Sequence, residues 1–258
     1  MISSSTVTAF IIALTFTLAL PIILLIVLGI RKKISFLPLF IGATAFFLSQ
    51  IVLRIPLISA LSTQSWYQNL STMFIPYILI LSFSAGLFEE SARLGGALLL
   101  KKRRSYKDVI SFGLGHAFCE VIILVGMTHI NNVIFCLAIN GGDSLAPITA
   151  AIPIETLETV TAQLSAVNAV DIYGGIVERF STVLFHIFAT VLVFNGVVKK
   201  KGYYFWLAVA AHTVFNFIGA LLNNVAGTVI VELVLLIMAL AAGWYVLISR
   251  NGFNNCSV

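Results

Sequence analysis

Long apolar runs alternate with short polar or basic breaks along the whole chain, at roughly 7–30, 34–58, 73–100, 108–138, 173–198, 202–222 and 226–248. Each run has about the length that crosses a bilayer as a helix. The pattern predicts an all-α, polytopic membrane helix bundle of about seven transmembrane helices, a single integral-membrane domain over residues 1–258. The first run, "FIIALTFTLALPIILLIVLGI", has no basic segment before it and no A-x-A-like site after it. It is therefore read as a retained span and not a signal peptide.

The breaks give an orientation. Basic clusters stand at "RKK" (31–33), "KKRR" (101–104) with Lys107, and "KKK" (199–201), each at the end of an apolar run. Assigned to the cytoplasmic side with Arg250, they place the N-terminus outside and the C-terminus inside. Two outer loops follow. "ALSTQSWYQNLST" carries Trp66 and Tyr67, side chains suited to a membrane interface. The loop over about 141–172 has Leu157, Val160, Leu164 and Val167 at helical spacing, which predicts an amphipathic helix. That helix is either a structural lid or a gate for substrate.

Composition narrows the class. The chain is 60% hydrophobic and only 10% charged, with a mean hydropathy of +1.06, which leaves too little polar surface for a soluble domain. The net charge of +5 resides in the membrane-flanking clusters and is no nucleic-acid signature. Cys119, Cys136 and Cys256 have no metal-like spacing, and no disulfide framework is expected.

Against this background the interiors of four spans carry ionisable side chains. Counting in from the basic clusters puts Glu89 and Glu90 roughly 17–18 Å deep, and Arg93 about 12 Å deep. His116 lies roughly 14 Å deep, Glu120 and His186 about 20 Å, and His212 about 17 Å. A charge at such depth costs on the order of 3 kcal/mol, so these groups must pair or line a polar cavity. Glu89 and Arg93, His116 and Glu120, and His212 and Asn216 are each i, i+4, on one helix face. Singly, these read as an intrahelical ion pair of Arg93 with Glu89 or Glu90, a packing hydrogen bond and interhelical polar glue. Jointly they point to a functional centre. Arg54, Glu178, Arg179, Glu232 and His129 count out near the outer boundary, Gln50 lies a turn deeper than Arg54, and all are read as structural.

A desolvated glutamate near an arginine suits a general base, a histidine can pass a proton, and His212 with Asn216 can stabilise an oxyanion. Together these describe amide hydrolysis inside the membrane. No H-E-x-x-H zinc signature is present, although three histidines with carboxylates also suit zinc.

"EESAR", "FGLGH" and "HTVFN" resemble the three motifs, E-E-x-x-x-R, F-x-x-x-H and H-x-x-x-N/D, of the type II CAAX-prenyl-protease and bacteriocin-immunity superfamily. "GATAFFLSQIVLRIP", "GLGHAFCE" and "ERFSTVLFHIFAT" resemble more closely the YhfC family of intramembrane proteases, over nearly the whole chain. The resemblance implies a glutamate-dependent endopeptidase of a bacterial plasma membrane, with its catalytic core over about 73–222. Glu89 would activate water, Glu90 and Arg93 would support it, His116 would position the water, and His212 and Asn216 would form the oxyanion site. His186 has no counterpart among the three motifs and enters by depth alone, whereas Glu120 enters by depth and its i, i+4 spacing from His116. Arg93 stands one residue closer to Glu89 than in the prenyl-protease motif, so Glu89 and Glu90 can exchange roles. On this mechanism no cofactor is required, with zinc as the alternative that the family's metalloprotease description favours. The expected partners are the bilayer and a membrane-embedded or lipid-associated peptide substrate. A proton-coupled transporter and a non-catalytic scaffold or immunity protein are the competing readings.

Overall fold

Apolar segments in lipid can satisfy their backbone polar groups only within the segment or in a closed barrel, and runs of this length do so as helices. The computed structural model describes residues 1–142, 150 and 152–256, without side-chain detail for 254–256. Among them every regular element is helical. Seven helices are long and apolar enough to cross a membrane: Ser4–Ile30, Phe36–Leu61, Phe74–Leu99, Tyr106–Asn140, Ala169–Lys199, Tyr203–Val225 and Thr228–Phe253, the first to seventh spans in chain order. The protein is an all-α, multi-pass membrane protein.

The chain divides into two compact units. One comprises Met1–Leu24 and Val121–Arg179. Its core gathers Phe10, Ala13, Cys136 and Ile172 with Leu164 of the helix Ile154–Ala166, and Val160 and Val167 pack beside it. Residues 143–149 and 151 of the expected outer loop lie outside the described residues. The other unit comprises Leu25–Glu120 and Phe180–Val258, and holds Val109, Phe112, Val191 and Phe194 at its centre. In its short helix Ser65–Ser71, Trp66 is exposed, whereas Tyr67 is buried and edge-on to Tyr77.

Three features of this second unit set positions at its centre. The second and fourth spans approach so closely that a Cβ on Gly42 would stand 2.0 Å from the Phe112 carbonyl oxygen, and one on Gly115 would stand 1.9 Å from that of Leu39. Only glycine allows this backbone contact. The second span turns π-helical over Phe47–Arg54, which shifts its side chains off a regular 3.6-residue period. At the basic breaks, the first and fifth spans end with Lys32 and Lys200 in the left-handed region (φ 52° and 54°). The amides of Lys33 and Lys201 close back on the Leu28 and Gly196 carbonyls, the helix-ending motif that favours glycine.

Two measurements follow. Gly115→Ala should lower unfolding stability in detergent by roughly 1–3 kcal/mol or more, through overpacking. Gly95→Ala, where an added Cβ meets nothing within 4 Å, should be neutral or stabilising by up to about 1 kcal/mol. For the proposed orientation, cysteine labelling from outside intact cells should modify an engineered site near Ser62 and spare one near Lys102.

Candidate functional site

The site is built on the third span, where Glu89, Glu90 and Arg93 are all buried. Glu90 and Arg93 are completely so, and form an ion pair one helical turn apart. A second Arg93 amino group lies 3.0 Å from His186 Nδ1 on the fifth span. Glu90 Oε1 also accepts from His212 Nδ1 on the sixth span, at 2.8 Å. The sixth span comes this close because residue 86 is glycine: a Cβ there would stand 3.0 Å from the Val209 carbonyl oxygen and 3.2 Å from His212 Cβ.

Glu89 sits at the focus of the cluster. Its Oε2 is 3.0 Å from His116 Nε2 on the fourth span and 3.8 Å from His186 Nδ1. Its Oε1 is 3.8 Å from His212 Nε2. The far nitrogen of His186, Nε2, lies 2.6 Å from Glu120 Oε2. The His116 and His212 ring centroids are 5.1 and 5.4 Å from that of His186, so three imidazoles crowd one carboxylate.

The partners fix the proton positions. Arginine only donates, so His186 Nδ1 must offer its lone pair to Arg93, which leaves the Nε2 proton directed to Glu120. A carboxylate only accepts, so His212 Nδ1 carries its proton toward Glu90, while its Nε2 faces Glu89. A nitrogen from each of two imidazoles and a carboxylate oxygen thus converge. One ligand atom from each of Glu89, His186 and His212 falls within a mutual 4.8 Å, and all three residues are buried. A two-histidine, one-glutamate set is a catalytic zinc donor set, in which ligand atoms about 2.0–2.1 Å from the ion stand roughly 3.3 Å apart. Carboxylates behind the outer ring nitrogens are the usual support for metal-bound histidines. The residues present fit a divalent metal after modest closure, with Arg93 yielding its hold on the His186 lone pair.

Seven of the eight residues singled out from the sequence therefore meet here: Glu89, Glu90, Arg93, His116, Glu120, His186 and His212. Arg93 pairs within its own helix, with Glu90 and not with Glu89. His116 and Glu120 turn to Glu89 and His186, on other spans, and not to each other. Asn216 is half-buried, and among the described residues no side-chain hydrogen bond ties it to the cluster. His212 lies between two carboxylates, Glu89 and Glu90.

Gln50, read from the sequence as structural, belongs to the site. It is buried, and its Nε2 donates to Glu89 Oε1 at 2.6 Å. Arg54 donates to Gln50 Oε1 at 3.1 Å, and is anchored in turn on the Leu81 carbonyl and the Ser84 hydroxyl. This fixes the amide's orientation. The available signal was the placement of Gln50 one turn inward of Arg54.

The family model for the YhfC intramembrane metalloprotease matches residues 16–238. The uncharacterised membrane protein YhfC of Bacillus subtilis (strain 168) is 26% identical over 170 residues, a match covering 64% of this chain. It spans 66% of that relative, just under two thirds of its length. No solved structure matches. The expectation that no cofactor is required is thereby corrected: the family is named for a metal, and the buried Glu89, His186 and His212 group suits one.

Gln50→Ala should cost roughly 1.5–3 kcal/mol of unfolding stability in detergent, the worth of a hydrogen bond to a charged group. Gln50→Glu sets a second carboxylate against Glu89 and should cost more. A Gln50→Glu protein as stable as Gln50→Ala would contradict the contact.

Proposed function

The chain belongs to the YhfC intramembrane metalloprotease family, and on that premise we propose that it is a metal-dependent intramembrane endopeptidase. Its substrate is a membrane-embedded or lipid-associated peptide. The observation that carries this reading is the convergence of Glu89, His186 and His212 in a buried cluster.

Glu89, His186 and His212 would hold the ion, and their donor set favours zinc. Bound there, it supplies a Lewis acid that activates water near neutral pH and polarises the scissile carbonyl. The chain's own residues do the rest. Gln50 and His116 hold the two Glu89 oxygens, fixing where that carboxylate points. Glu120 and Glu90 hold the outer nitrogens of His186 and His212. Glu90 keeps Oε2 buried and without a hydrogen-bond partner, while Oε1 is taken by Arg93 and His212. We assign Glu90 Oε2 as the acceptor of the water proton, which it returns to the leaving amine. A positioned general base contributes about 10²–10⁴-fold. On this reading Glu89 is a ligand and its neighbour the base, the exchange of roles that the spacing of Arg93 allows.

The test compares new protein N-termini in membranes from cells carrying wild type, Glu89→Gln or Glu90→Gln at equal expression, alongside the metal content of each purified protein. Wild type should generate termini that both variants lack. Glu89→Gln should lose bound metal, whereas Glu90→Gln, which also loosens Arg93 and His212, should hold metal more weakly and, counted per metal-loaded protein, lose at least about 10²-fold in cleavage. Chelation should silence the wild type. Identical termini in all three, with known membrane peptides detected throughout, would overturn proteolysis. Cleavage that survives metal removal would overturn the assigned chemistry.

A further inference from the structure

A groove of about 260 Å³ opens in the second unit between the third, fifth and sixth spans, at the end marked by the basic clusters. Its walls are apolar, with Leu94 and Leu98 facing Val197 and Phe205, and its mouth carries Lys200 and Lys201. Both lysines are exposed, and no acidic side chain lines the groove. Lys199 is occupied elsewhere, its Nζ donating to the Tyr204 hydroxyl at 3.1 Å.

A row of lysines at the end of a span would by itself say only which side of the membrane it faces. The backbone says more. Lys200 sits in the left-handed region, at the position that ends the fifth span, where glycine carries no steric penalty and a side chain does. A lysine there holds a cation over the groove at a conformational cost. Apolar walls beneath a pair of free ammonium groups match one class of ligand, an acyl chain with an anionic head. Basic pockets between membrane helices bind such headgroups.

We propose that this groove is a binding site for an anionic phospholipid, its headgroup on Lys200 and Lys201 and an acyl chain along Leu98 and Phe205. None of these residues belongs to the Glu89 cluster, so the proposal stands or falls independently of the proteolytic reading.

The left-handed lysines supply an unusual control. Lys200→Gly with Lys201→Gln removes two charges while relieving the backbone, so the fold should keep or gain stability. Lys32→Gly with Lys33→Gln makes the same exchange at a turn of the same conformation, which does not line the groove. Full-length protein in a neutral detergent would receive phosphatidylglycerol, phosphatidylcholine or soluble glycerol phosphate. Retained lipid would be counted by native mass spectrometry, and unfolding followed by tryptophan fluorescence. Wild type should retain phosphatidylglycerol over phosphatidylcholine and unfold several degrees higher with it. The Lys200/Lys201 variant should retain at least fivefold less, and the Lys32/Lys33 variant should lose less than twofold. Equal losses in the two variants would reduce the effect to general attraction between lysines and anionic lipid, and overturn the site. So would equal retention of phosphatidylcholine, or a full stabilising shift from glycerol phosphate alone.

Discussion

The ion pair between Glu90 and Arg93 is the interaction that the rest of the site depends on. Both side chains are wholly buried and lie on one helix. Taking two such charges out of water is expensive, and their mutual attraction repays it only when the remaining donors and acceptors are also met. Removing one partner from a pair of this kind typically costs about 3–5 kcal/mol. The guanidinium therefore reaches on to His186, and the carboxylate to His212. One pair on the third span thus dictates where the fifth and sixth spans must present their histidines. Those histidines in turn fall either side of Glu89.

Sterics and electrostatics agree on this arrangement. The glycines at 42, 86 and 115 lie where the second span meets the fourth and the third meets the sixth, and at each of them a methyl group would crowd a facing carbonyl oxygen. In lipid no hydrophobic force draws helices together, so close backbone approach and buried polar contacts must do so. The same small residues that allow tight packing deliver Gln50, His116 and His212 to Glu89 and Glu90.

Much of this was legible in the sequence, because burial depth is a one-dimensional property. Basic clusters at span ends and a fixed rise per residue were enough to bring Glu89, Glu90, Arg93, His116, Glu120, His186 and His212 to a common level. His186 was found this way, with no counterpart among the three short motifs. Partnership is three-dimensional and was less legible. Spacing of i, i+4 shows that two residues share a face, yet His116 and Glu120 each find a better partner on another span. Asn216 shares a face with His212 and still stays outside the cluster. Gln50 escaped because it accompanies Arg54, whose position near the span's outer end suggested interfacial solvation. It also lies within the π-helical stretch Phe47–Arg54, where hydrogen bonds to the fifth residue displace side chains from the faces a regular helix would give them.

Charge bears on the metal reading as well. Glu89, Glu90 and Glu120 bring three carboxylates to the cluster, against the guanidinium of Arg93 and, beyond Gln50, that of Arg54. Carboxylates screened from water are costly unless cations or protons answer them. A proton can do so only by ionising a histidine or neutralising a carboxylate, and within the Glu89, His186 and His212 group either change takes away a donor. A divalent cation answers the carboxylates and leaves the two rings as ligands. On the proposed metal reading, the charge of the cluster and the placing of His186 and His212 around Glu89 favour the same ion.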